Sequence, residues 1–285
     1  MAFHLPTFLT RLGSAIVFSA VMMAGLLFNS WAFIALFFLV NILCLMEYAS
    51  LIEPILGIQF SRNERMNYVF AGMTLFLTVA ALPITLCEDP AALILRAFSF
   101  QILGLFIGAV LIFFLFRSNR KSNYLLTGIS YISLSLGLLV HIRFESLYLP
   151  LILILLIWMN DTMAYLCGSF FGKTPFFPAI SPKKTMEGTL GGVLFTMAFA
   201  FLWGWNTEWF PLSFWILLAL TASVAGTAGD LAESKLKRLA GVKDSGQLMP
   251  GHGGALDRFD SLLLAAPFAF LISLWYSICL AVKVF

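Results

Sequence analysis

The stretch LPLILILLIWMND, from Leu149 to Asp161, decides how this chain folds. It is apolar enough to enter a bilayer, but Asn160 and Asp161 interrupt it well before the roughly 20 apolar residues that a full crossing takes. Whether it crosses fixes the side of every later loop. The other apolar runs need no arbitration: Leu12 to Phe28, Trp31 to Met46, Tyr68 to Leu86, Phe98 to Phe116, Leu125 to Val140, Gly188 to Trp205, Leu212 to Ala225 and Leu262 to Val284. Segments on the cytoplasmic side collect Lys and Arg. Counting Leu149 to Met159 as a span, with the N-terminus inside, places all of the 17 Lys and Arg except Arg96, Arg143 and Lys283 in inner segments. Leaving it out inverts each later loop and destroys that asymmetry. The expectation is therefore an all-α, polytopic integral membrane protein with about nine transmembrane helices, a cytoplasmic N-terminus and an outer C-terminus.

Composition agrees. Of 285 residues, 61% are hydrophobic and 11% charged, against roughly 45–50% and about 25% in soluble domains. No soluble catalytic domain is expected. Leu12 to Phe28 reads as a retained span instead of a cleaved signal peptide, and a chain with no targeting extension suits a bacterial inner (cytoplasmic) membrane. Cys44, Cys87, Cys167 and Cys279 are scattered, with no spacing for zinc or a disulfide framework. A net charge of +3 is too small to suggest nucleic acid. Trp203, Trp205, Trp209 and Phe210 suit an interfacial aromatic belt. The chain divides into a scaffold of helices over 1–147 and a catalytic region over 148–285, because the largest inner segments fall in the second half.

Polar residues in that half suggest a site. Asp161, beside Asn160 and one turn before Tyr165, is an ionisable group near membrane depth, where insertion costs roughly 2.5–3.5 kcal/mol and a functional cavity is the usual reason for it. Gly168 to Thr174 imitates a phosphate-binding loop, but only three residues separate its first glycine from Gly172-Lys173 where that loop requires four. Lys173 then counts as an isolated charge toward phosphate. In Ser181-Pro-Lys-Lys-Thr-Met-Glu-Gly188, Ser181 reads as an N-cap and Pro182 as the first helical residue. That helix start, with Lys183 and Lys184, would bind an anion, and Glu187 would pair with Lys184 across one turn. Gly188, Gly191 and Gly192 form a small-residue face for close helix packing, within the chain or in a homodimer.

The densest constellation runs from Gly229 to Asp260. On a helix, Asp230, Glu233, Ser234 and Lys237 share one face. Lys243-Asp244 and the flexible Pro250-Gly251-His252-Gly253-Gly254 follow, and Asp257 and Asp260 stand one turn apart with Arg258 between them. Carboxylates converging without histidine or cysteine suit Mg²⁺, its coordination completed by substrate phosphates.

Ser234-Lys-Leu-Lys-Arg238, Lys243-Asp244, His252-Gly253-Gly254 and Asp257-Arg258-Phe259-Asp260, with Ser181 to Gly188 upstream, resemble the phosphatidate cytidylyltransferases. The resemblance covers roughly Trp158 to Ser261; Met249 and Ala255 depart from it by size only. It implies transfer of CMP from CTP to phosphatidic acid within the bilayer. It also implies an acidic metal site at Asp230 and Asp257, joined by Asp260, holding Mg²⁺ and a second, monovalent cation such as K⁺. The catalytic set is expected to be Asp230, Asp257, Asp260, Lys237, Arg238 and Lys243. Substrate binding is expected to fall to Asn160, Asp161, Lys173, Ser181, Lys183, Lys184, Thr185, Glu187, Ser234, Asp244, His252, Gly253, Gly254 and Arg258. The competing readings are a CTP-dependent polyprenol-type lipid kinase and a transporter. The charges gather at one membrane face instead of crossing the midplane, which disfavours the transporter.

Overall fold

A computed structural model of the chain describes residues 5–81, 120–248 and 253–281. The run expected over Phe98 to Phe116, the end of the one over Tyr68 to Leu86, and His252 lie outside the described residues. The helices are α1 (Leu5–Leu27), α2 (Ser30–Leu56), α3 (Arg62–Ala81), α4 (Arg120–Glu145), α5 (Tyr148–Phe171), α6 (Met186–Trp205), α7 (Leu212–Leu239) and α8 (Leu256–Ala281). Strands β1 (Pro175–Phe177) and β2 (Ser181–Thr185) make an antiparallel hairpin between α5 and α6. Among the described residues, six helices, α2 and α4 to α8, are long and apolar enough to cross a membrane, and α1 adds a shorter apolar stretch, Ile16–Leu27. This is an integral membrane protein.

The stretch that decides the topology is helical to its end and beyond. Asn160 and Asp161 do not break α5, which continues to Phe171, because a helix satisfies its own backbone whatever its side chains carry. Contacts between helix ends set relative directions: α3 and α4 both run opposite to α2, and α8 runs with α4 and opposite to α7. The carboxyl-terminal part of α2 meets the start of α3 through Arg65 and Glu53, 2.7 Å apart, and the start of α4 through the Tyr48 hydroxyl, which donates to the Tyr124 carbonyl at 3.1 Å. At the opposite end, Ser273 near the close of α8 bonds Glu145 at the close of α4, and Tyr276 donates to Ser213 at the start of α7 at 2.7 Å. Outside the apolar stretches, Glu64 accepts from Lys121 and Ser61, which hold its carboxyl down at about 2.

Small residues set the helix spacing where the site forms. Gly188 faces the Ala164 carbonyl, Gly191 faces Cys167 and Gly192 faces Asn160, so the glycine face of α6 is spent on α5. A Cβ on Gly229 of α7 would strike the Asp260 carbonyl of α8. Without a hydrophobic drive between helices in lipid, such close backbone approach is what packing relies on. Helix α4 carries a π-helical turn, Ser130–Leu134, a local widening that often serves a site. Here it aims the Tyr131 hydroxyl at the Asp260 carbonyl, 3.0 Å away.

Candidate active site

The site is built from the end of α5, the hairpin, the start of α6, the end of α7 and the start of α8. The hairpin overturns one expectation. Ser181 and Pro182 do not open a helix: they lie in β2, and α6 begins at Met186 with Thr185 as its N-cap, whose Oγ1 accepts from Gly188 N at 3.1 Å. The cap preference of Ser181 is local, whereas its strand pairing with Phe177 depends on a turn that only the fold defines. Glu187 does not pair with Lys184 either. Its carboxylate accepts the backbone N–H groups of Lys173 and Thr174 at 3.1–3.2 Å, closing the hairpin onto α6.

Lys184, thus freed, pairs with Asp230 on α7. Together they line a cavity of about 410 Å³ with Asn160, Asp161, Lys183, Thr185 and Thr227. A second cavity, about 140 Å³, is lined by Asp161, Asp257, Arg258 and Asp260 on its polar side and by Phe18, Met22, Ile154, Ile157 and Trp158 on its apolar side. Asp161 borders both. Asp161 and Asp230 border the larger cavity and Asp161 and Asp260 the smaller, and the Gly229 crossing sets α7 close against α8 at Asp260.

Other expected residues take different posts. Lys237 is 9% exposed, and its ammonium sits between Glu233 and Asp257, 2.5 Å from the latter. A buried ammonium with two carboxylate partners braces α7 against α8. Asp257 is likewise engaged. Its Oδ1 faces Lys237, while Oδ2 accepts from Ser245 N at 2.8 Å and Gly254 N at 2.7 Å and lies 2.9 Å from the Ser245 hydroxyl, which it shares with Glu47. Gly253 turns there with φ of 81°, and a side chain on it would meet the Asp257 carboxylate. Ser234 Oγ donates to Asp230 at 3.3 Å. Arg238 rests on the carbonyls of Ile180 and Val242 at 3.4 and 3.3 Å. Lys243 and Arg258 are exposed.

Among the described residues, no three His, Cys, Asp or Glu side chains converge as a metal-binding group. This does not count against magnesium, which is commonly held by one or two carboxylates with substrate phosphates supplying the rest. Asp260 fits that role, as its Oδ1 accepts from the neighbouring Ser261 N at 2.6 Å and its carboxylate borders the smaller cavity. Asp230 fits too, since a phosphate arriving at Lys184 would release its carboxylate. Asp257 already has Lys237, Ser245 N and Gly254 N on it.

One participant escaped the sequence. Glu47 on α2 accepts from Ser245 Oγ at 2.7 Å and from the backbone N–H groups of Ala255 and Leu256, each at 2.8 Å. The readable signal was a lone acid directly after the apolar run that ends at Met46.

The cytidylyltransferase family model matches residues 9–276. The chain is 40% identical over 152 residues to a phosphatidate cytidylyltransferase of Staphylococcus aureus (strain COL), covering 53% of this chain and 58% of that protein. It is 40% identical over 189 residues to a phosphatidate cytidylyltransferase of Aquifex aeolicus (strain VF5), covering 65% and 70%. A relative of the same description in Staphylococcus haemolyticus (strain JCSC1435) is 38% identical over 152 residues, covering 53% and 58%.

Proposed function

The chain belongs to the cytidylyltransferase family, and from that premise we propose that it is a phosphatidate cytidylyltransferase, making CDP-diacylglycerol and pyrophosphate from CTP and phosphatidic acid. One observation carries the reading: a larger cavity that presents Lys183 and Lys184 and a smaller one that sets Arg258 and Asp260 beside Phe18, Met22 and Ile154 meet at Asp161. A nucleotide triphosphate suits the first, with Lys183 and Lys184 toward its phosphates. A lipid phosphate suits the second, its acyl chains against Phe18, Met22 and Ile154, and Arg258 at its head.

The reaction joins a phosphatidate oxygen to the α-phosphorus of CTP, breaks the bond to the β-phosphate oxygen and releases pyrophosphate. The attacking phosphate is already anionic near neutral pH, so the residues have to align and neutralise and need not abstract a proton. Lys184, exchanging Asp230 for phosphate, supplies positive charge where the triphosphate lies. Asp230 and Asp260 are the carboxylates that would hold Mg²⁺, which would supply positive charge to offset that building on the leaving group. Lys237, Asp257 and Ser245 hold the first turn of α8 in place.

In this reading the N-terminus, the hairpin and the α7–α8 connection face the cytoplasm of a bacterial inner membrane, and about nine spans cross it. The grouping of Lys and Arg supports that orientation. The test is pyrophosphate release by detergent-purified protein given Mg²⁺ and CTP, with and without phosphatidic acid, the lipid product identified by mass. CDP-diacylglycerol formed only with both substrates supports the proposal. CDP and a phosphorylated lipid alcohol, formed from a polyprenol supplied in parallel, would replace it with a lipid kinase.

A further inference from the structure

Glu47 lies in the half of the chain that the reading above treats as scaffold, yet it reaches 198 residues along the sequence to Ser245 and 209 to Leu256. Its Oε1 accepts from Ala255 N, and its Oε2 accepts from Leu256 N and from Ser245 Oγ. The two backbone donors belong to the opening turn of α8, where N–H groups have no partner within the helix and a negative charge complements the helix dipole. The space is shaped for a carboxylate: Gly246 and Gly254 both face it, and a Cβ on either would collide with it. The Ser245 hydroxyl also lies 2.9 Å from Asp257 Oδ2. Glu47, Ser245, Asp257, Lys237 and Glu233 thus form one continuous polar chain from α2 through the α7–α8 connection to α7.

We propose that Glu47 is a positioning residue for turnover, clamping the first turn of α8 onto α2 so that Arg258 and Asp260 stay in register with the reacting phosphates. The proposal rests on the cytidylyltransferase reading for its assay and on geometry alone for the clamp. A misplacement of about 1 Å remote from the chemistry is enough to slow it about 100-fold.

The test compares full-length wild type with Glu47→Gln, which keeps the shape but turns one acceptor oxygen into a donor facing donors. Amide hydrogen exchange is expected to rise at least about tenfold in the peptide holding Ala255 and Leu256 and to stay unchanged in α6. The kcat for CDP-diacylglycerol formation is expected to fall about 10- to 100-fold, with KM for CTP within about threefold. Glu47→Asp, which keeps the charge on a shorter arm, should recover part of both. Should Glu47→Gln not fold, Ser245→Ala is the second variant, with smaller changes in the same direction. Wild-type exchange or wild-type kcat in a folded Glu47→Gln protein overturns the proposal, as does a loss confined to KM. A wild type inactive on CTP and phosphatidate sinks the functional reading instead. The kcat comparison is then made on whichever reaction the wild type performs, and the exchange result still decides the clamp.

Discussion

Asp257 and Asp260 stand one helical turn apart and read alike in the sequence, but their surroundings divide their work. Asp257 has both oxygens bonded and pairs with a Lys237 that is itself largely buried. Asp257→Asn leaves that ammonium short of a partner, and losing one member of a buried pair costs about 3–5 kcal/mol. The expected result is a lower midpoint of thermal unfolding in detergent, with activity lost alongside the fold. Asp260→Asn should instead leave the midpoint close to wild type while turnover falls more than about 100-fold, the scale of losing one charge-stabilising group. Thermal unfolding and CDP-diacylglycerol formation measured on the same samples check both; equal unfolding shifts would erase the distinction. For Lys184→Ala the expected change is a KM for CTP raised about tenfold or more, the worth of one charge-assisted contact. The sequence made this cluster legible because acids and bases alternate on one helical face. It could not show which acid is spent on structure, since the donors to Asp257 come from a turn whose path is set by the packed helices. Glu47 was hidden for the same reason: its partners lie 198 to 209 residues away.

At the scale of elements, apolar runs announced the helices, and the glycine face of α6 announced close packing, here against α5. The hairpin was missed because Ser181-Pro182 satisfies every local rule for starting a helix, and no local rule reports that Phe177 lies opposite Ser181. The same local rules do hold further on, at Thr185. Thr185→Ala removes the cap of α6, which is worth about 1 kcal/mol, and should lower the thermal midpoint by a few degrees. Gly229→Val is the harsher test. A side chain there meets the Asp260 carbonyl, which is backbone and cannot step aside, so α7 and α8 must part. Overpacking of this kind costs about 1–3 kcal/mol, and separating Asp230 from Asp260 should abolish turnover even in the fraction that stays folded. Turnover per folded molecule, from activity and monodisperse yield together, decides it; a folded Gly229→Val protein with wild-type turnover would detach the crossing from the chemistry.

For the whole molecule, the question posed by Leu149 to Asp161 becomes one of sides. Helix α5 is continuous from Tyr148 to Phe171 and is apolar enough to cross, so the connection before it and the hairpin after it belong to opposite faces. The hairpin lies with Lys173, Lys183 and Lys184, and with the far end of α7 that bears Lys235, Lys237 and Arg238. The α6–α7 connection holds Trp209, and Trp205 closes α6 beside it, both exposed, as an interfacial belt requires. In the proposed orientation, the face that retains the positive charge is the cytoplasmic one. In a protein whose four cysteines are replaced by serine, a single cysteine at Ala179 in the hairpin turn should resist a membrane-impermeant maleimide in intact cells and react after permeabilisation. A single cysteine at Thr207, between α6 and α7, should react in intact cells. The reverse pattern would put the cavity that Lys183 and Lys184 line on the outer face, away from cytoplasmic CTP, and the proposed reaction could not then run in that orientation. Equal labelling of both positions in intact cells would mean that α6 does not cross at all, against its 20-residue apolar length.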